Sequence, residues 1–288
     1  MILGRQEMGL FAVRALLFTF VATGIGCGGV ESEVDPTLAT IQQGVDRGAR
    51  FGTYCAETFE NKWKPTLPQS WNRCAWFNDE LDDTDQKVFY FNLANKKYYL
   101  ERFGDHQADL KSADDVDLLF INTHGGAWTN PMTSTLTMWN QDKRAFSSEM
   151  RLGDSAWWGG GLAVLATYAC ETLKHSDGNL VRRLAPMLRG GLKIALGSHD
   201  ELWSSRTSNE VGEDFADNLQ HRYSFKNAWK DALSDWHHDQ DVTVVSTGKN
   251  AADCTSRKDN MKWQNYGSYP FIRDNSIGYT CWTWWNNL

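Results

Sequence analysis

Several familiar chemistries have no residues to run on in this sequence. It contains no H-E-x-x-H and no paired C-x-x-C, and the adjacent His237 and His238 fall on a helical stretch where neighbours point different ways, so no metal-ligand set is read. It contains no G-x-S-x-G, so the glycines after His124 have no serine elbow to serve as an oxyanion site. Internal repeats and low-complexity tracts are lacking, and so is any excess of positive charge. The 29 Lys and Arg stand against 36 Asp and Glu, a net charge of -7, which excludes a general nucleic-acid binder working through a basic face. The apolar run Leu10 to Ala22 is too short and too soon ended by glycine for a membrane span. No cofactor and no metal are expected.

What is present fits a globular α/β chain. At 288 residues, 41% hydrophobic and 23% charged, it is long enough for one large domain or two small ones, with an ordinary soluble globular core. Its 14 Trp serve mostly as core, with some left to line a gripping surface. The N-terminus reads as an export signal over residues 1–26: Arg5 and Arg14, then the apolar run, then Gly24-Ile25-Gly26-Cys27. It resembles a bacterial lipoprotein signal, which implies lipidation at Cys27, a membrane anchor and a place in the cell envelope. Gly24 stands where such signals usually carry Leu, so plain secretion stays open. Residues 27–47 are polar and read as a tether.

Export gives the cysteines meaning. Setting Cys27 aside leaves five, and in an exported protein even numbers pair while the odd one is a candidate reactive thiol. Cys170 alone ends an apolar block. Pairing neighbours in sequence gives Cys55 with Cys74 and Cys254 with Cys281, one of three possible pairings of four.

Along the chain, Ala49 to Cys55 reads as a strand and residues 56–83 as a loop-rich segment. Thr84 to about Arg102 reads as a helix, although Val88 to Phe91 is strand-like. Residues 125–160 read as a long connection carrying Trp128, Trp139, Trp157 and Trp158, either a loop that covers or walls a site or a solvated insertion packed by its own aromatics. Helices are expected at Leu180 to Arg189, at Ser208 to His221 and after a Ser224 cap, the last with the apolar stripe Phe225, Ala228, Trp229, Ala232, Leu233 and Trp236. Strands are expected at Leu192 to Leu196 and at Val242 to Val245. This alternation calls for a three-layer α/β sandwich with a mainly parallel sheet and disulfide-clipped loops. The main domain spans 48–250, and 251–288 is an aromatic, disulfide-clipped cap of that same domain.

Two apolar blocks carry the chemistry. Val116 to Asn122 runs into Thr123-His124-Gly125-Gly126, and Gly161 to Ala169 ends on Cys170. Each reads as a strand buried on both faces of a parallel sheet, where ligands bind beyond the carboxyl ends. An imidazole and a thiol would then share one rim.

These two blocks, an apolar run ending in His-Gly and a second ending in Ala-Cys 46 residues later, resemble the caspase-like cysteine peptidases, the clan that includes caspases, legumains, gingipains and separases. The resemblance covers roughly residues 50 to 250. It implies a caspase-like sheet and a His124/Cys170 dyad. His124 activates the thiol and protonates the leaving amine, and the backbone N–H groups of Gly125 and Cys170 receive the oxyanion. It implies a peptide or protein substrate. Gly197 to Trp203 resembles the segment where separase-like relatives place an acid for a basic side chain, which makes Asp200 and Glu201 candidates for cleavage after Arg or Lys. The sequence departs from many relatives in carrying Tyr168 two positions before the cysteine and Glu171 just after it, where a carboxylate raises a thiol's pKa. The alternative is an inactive caspase-like envelope protein that binds peptide or glycan through its aromatic loops. The residues give no reading of oligomeric state.

Overall fold

The apolar blocks singled out above lie side by side in one sheet. The computed structural model describes residues 49–59, 65–82, 87–94, 113–129, 132–137, 144–147, 152–153, 161–202, 210–234, 242–272 and 276–285. All of them fall within one compact unit, Asp35–Leu288. The signal, Cys27 and the whole of the tether lie outside these residues, as does Trp236 of the apolar stripe.

In chain order the elements are β1 (Ala49–Cys55), α1 (Ser70–Asp82), β2 (Lys87–Ala94), β3 (Leu118–Asn122), β4 (Gly125–Thr129), β5 (Met132–Thr137), β6 (Arg144–Phe146) and β7 (Val164–Tyr168). There follow α2 (Leu180–Leu188), β8 (Ile194–Ser198), α3 (Val211–Gln220), α4 (Phe225–Ser234), β9 (Val242–Gly248), α5 (Ala251–Asn260) and β10 (Tyr279–Trp285). Seven strands form one sheet in the order β10-β9-β8-β7-β3-β1-β2. The five from β8 to β2 are parallel, and β9 and β10 each join antiparallel to their neighbour.

Every residue of β3, β7 and β8 is buried, as strands covered on both faces must be. Side chains alternate between the two faces. Leu118 and Phe120 join a core with Phe51, Phe77, Phe215 and Trp229. Leu119 and Ile121 join a second core with Leu165, Leu184 and Leu188. The first core is aromatic: Phe77 stacks on Phe120 at 5.0 Å, and Phe215 meets Trp229 edge-on at 5.1 Å. Helices α1, α3 and α4 bury their apolar faces in the first core and α2 in the second, which gives three layers.

Local signals act where they were read. The hydroxyl of Ser224 accepts the Asn227 N–H at 3.3 Å and caps α4, whose stripe from Phe225 to Leu233 is buried. Cys55 is bonded to Cys74 and Cys254 to Cys281, with Cα atoms 6.3 and 6.0 Å apart. Two disulfides indicate an oxidising, extracytoplasmic environment. Among the described residues no helix is long and apolar enough to cross a membrane.

Four readings are corrected. The stretch expected as a helix from Thr84 holds β2, because the run around Val88 to Phe91 finds a parallel partner in β1 and tertiary pairing overrides helical spacing. The segment read as loop-rich after Cys55 contains α1, which packs Phe77 and Leu81 into the core. The long connection after His124 holds three short strands in a second sheet, ordered β4-β5-β6. The aromatic tail does more than clip the surface, since β10 extends the main sheet along all of β9.

Candidate active site

The site lies at the carboxyl rim of the main sheet, where β3 and β7 end together. Asn122 of β3 is paired with Tyr168 of β7, and Thr123 N–H still reaches the Tyr168 carbonyl at 3.4 Å. His124 and Cys170 each stand two residues beyond that pair. The structure therefore brings the two sequence candidates to adjacent positions on one rim.

Gly125 follows at once and packs on the cysteine's main chain. A methyl group placed on its Cα would collide with the Cys170 carbonyl oxygen and sit 3.0 Å from the Cys170 nitrogen and from the Ala169 Cβ. Only glycine allows so close an approach. Its N–H direction follows from the ladder. Thr137 donates to the His124 carbonyl at 2.8 Å, and Gly125 is registered with Leu136. Bonded and non-bonded pairs alternate in an antiparallel ladder, so the Gly125 N–H points away from β5.

The imidazole is held by the loop-rich segment after Cys55, to which sequence reading gave no role in the site. His124 Nε2 lies 2.9 Å from the Pro65 carbonyl oxygen, and its ring lies against Phe59, centroid to centroid 5.0 Å. A carbonyl only accepts, so Nε2 carries the proton, and in the neutral ring Nδ1 is then the basic nitrogen. Phe59 and Pro65 belong to the loop closed by the Cys55–Cys74 disulfide. That loop is fastened beside β3: Ala56 N–H donates to the Asn122 carbonyl at 2.9 Å, as does the Ser70 hydroxyl at 3.3 Å.

Cys170 is the one free cysteine among the described residues and is partly buried. Its sulfur sits against Leu202, whose N–H approaches at 3.4 Å and whose carbonyl lies at 3.6 Å. Burial pushes the thiol up from its ordinary value. The Leu202 N–H opposes this, and the charges of Glu201 and Glu171 add to it. Glu171 holds a left-handed backbone (φ 51°), gives its N–H to the Asp200 carbonyl at 2.9 Å and pairs its carboxylate with Lys174.

Asp200 and Glu201 are both exposed on the turn after β8 that carries Leu202 to the sulfur. The carboxylate of Asp200 accepts the Glu201 N–H at 2.8 Å. The same rim is tied to β10 through rings: His199 stacks on His175 at 4.2 Å, and His175 meets Trp284 at 4.5 Å. Pro65, Phe59 and Leu202 thus join the site without a motif of their own. Only Leu202 lies inside a stretch singled out from sequence.

The family profile titled Domain of unknown function (DUF6345) matches residues 56–286, which takes in every one of these groups. The chain belongs to this family. Comparison with curated proteins finds no match. Among solved structures the DUF6345 chain is similar to the Drosophila initiator caspase Dronc, at 8% sequence identity and a TM-score of 0.44, over 90% of this chain and 98% of that one. A likeness that slight carries no argument about chemistry, which rests on the geometry above.

Proposed function

We propose that this protein is a cysteine-dependent peptide-bond hydrolase of caspase-like fold that uses His124 and Cys170. The observation that carries the reading is the shared rim: the two residues stand at equivalent positions past a paired Asn122 and Tyr168, with Gly125 against the cysteine's backbone. Nδ1 of His124 takes the thiol proton, and the thiolate adds to the carbonyl carbon. The oxyanion receives the N–H groups of Gly125 and Cys170. Collapse breaks the C–N bond, and the imidazolium gives its proton to the departing amine. Water then adds to the thioester, His124 accepts the water's proton, and release of the acid returns the thiol. The Pro65 carbonyl keeps the ring in the tautomer this sequence needs.

Asp200 and Glu201 fit a preference for Arg or Lys before the cut, through charge-assisted pairing at an exposed turn. Peptide-library profiling of the purified chain tests both claims. Cleavage after basic residues that disappears in Cys170→Ala is the expected result. Cleavage after acidic or small residues removes the specificity, and no cleavage of any member removes the hydrolase.

A second reading, an inactive relative that binds peptide or glycan through its aromatic surfaces, is favoured by the raised thiol, which leaves little thiolate at neutral pH. For location, we propose export with a lipid anchor at Cys27. The mass of the mature N-terminal peptide tests it, with a diacylglyceryl-modified Cys27 expected and an unmodified N-terminus contradicting it.

A further inference from the structure

Among the described residues, the strand that continues from His124 has no partner along its outer edge, which begins beside the candidate nucleophile. Among the described residues β4 stands at the end of the three-stranded sheet, bonded on one side only, to β5. Because His124 and Thr137 form a bonded pair, the alternation sends the N–H and C=O groups of Gly125, Ala127 and Thr129 outward, away from β5. Among the described residues no hydrogen bond is recorded on those outward groups, and Gly125, Ala127 and Thr129 are partly or fully exposed. The row starts where Gly125 packs against the Cys170 backbone. Its groups recur at every second residue, about 7 Å apart, the repeat at which an extended peptide presents its own.

We propose that β4 is the binding edge for the part of the substrate that follows the scissile bond, which lies along it as an added parallel strand. The inference rests on the hydrolase reading and deepens it.

The direction follows from proton transfer. The group that protonates the departing amine must stand on the amine's side of the cut. That group is His124, and β4 is the direct continuation of its chain. The acyl half then lies toward Leu202, which borders the sulfur from the β8 side. A substrate leaving the sulfur past His124 meets Gly125 first and Thr129 last, so it runs parallel to β4. Main-chain pairing gives affinity without sequence preference, and side chains that alternate off the strand add selectivity. Trp128 supplies one such contact. Its indole nitrogen would lie 3.8 Å from a Cβ placed on Gly126, so the ring folds back along the strand, and it remains exposed.

The test uses the full chain and synthetic peptides that share one acyl half and carry one to five residues after the cut. kcat/KM is expected to climb with each residue up to about four, the length of the β4 edge. An N-methyl scan of those residues is expected to lower kcat/KM by about 3- to 10-fold at alternate positions only, the value of a single lost hydrogen bond. Ala127→Pro removes an outward N–H at an edge position where proline is tolerated and is expected to flatten the length dependence. If the peptides are cut at rates indifferent to length and to N-methylation, the β4 edge is not a subsite and the hydrolase stands. If no peptide is cut at all, the hydrolase reading falls and this inference falls with it.

Discussion

The carbonyl oxygen of Pro65 lies 2.9 Å from Nε2 of His124, across 59 residues of sequence. It assigns the ring's tautomer and makes the disulfide loop part of the site. Opening that loop has two expected consequences. Replacing Cys55 and Cys74 with serine lowers stability by about 3 kcal/mol, the value of freeing a loop of this size. It also slows modification of Cys170, because the imidazole loses its fixed orientation. Denaturant melts and alkylation rates on the same protein check both.

Gly125→Ala is expected to cost activity well beyond its cost in stability. The added methyl must displace the Cys170 carbonyl or the Ala169 side chain, moving the two N–H groups assigned to the oxyanion. Loss of one such donor lowers kcat by about 100-fold or more. Gly178→Ala is the control. Nothing lies within 4 Å of a Cβ there, although φ is +71°. It is expected to cost about 1 kcal/mol of stability for the backbone alone and to leave turnover unchanged.

The thiol is held up first by burial and then by the carboxylate of Glu201. Its reaction with iodoacetamide is therefore expected to rise steeply only above the pH range of an ordinary cysteine. Glu201→Gln removes one of the charges that oppose ionisation, so the profile shifts to lower pH and the rate at neutral pH increases. An unchanged profile in that variant contradicts the assignment.

Just before β8, Lys193 gives its ammonium to the Tyr266 carbonyl at 2.9 Å and stands over the Phe271 ring at 4.2 Å. Burial, with the charge of Arg257 behind it, lowers its pKa from 10.5 to about 7. Between these values the unfolded chain binds more protons than the folded one, so this group makes stability rise with pH from about 7 to about 10.5. Below that window the folded state must carry the buried charge. Lys193→Met is expected to flatten the pH dependence of Tm across the window.

Much of this architecture was legible because it is written in local chemistry. Strands buried on both faces of a parallel sheet are largely apolar, so β3, β7 and β8 stood out together with the residues they deliver. Counting cysteines separated Cys170 from the pairs because oxidation leaves an odd thiol behind. The failures share a cause in tertiary context. Residues 87–94 satisfy two periods in part, and only the edge of β1 decides for a strand. β4 to β6 lie in a stretch with no continuous apolar run, so nothing marked them as the buried blocks of β3, β7 and β8 were marked. The Pro65 carbonyl is a main-chain group that every residue owns, so no side-chain pattern points to it. Its role comes from where the disulfide loop, fastened beside β3, holds it.

The most direct measurement is the rate at which a peptidyl acyloxymethyl ketone with a basic terminal residue modifies the full chain, read by intact mass and peptide mapping. One adduct per chain, on Cys170, is expected, with a rate that falls by about 100-fold or more in His124→Ala, as removal of an activating base requires. Modification of Cys170 at the speed of an ordinary buried thiol, equal with and without His124, would contradict the dyad.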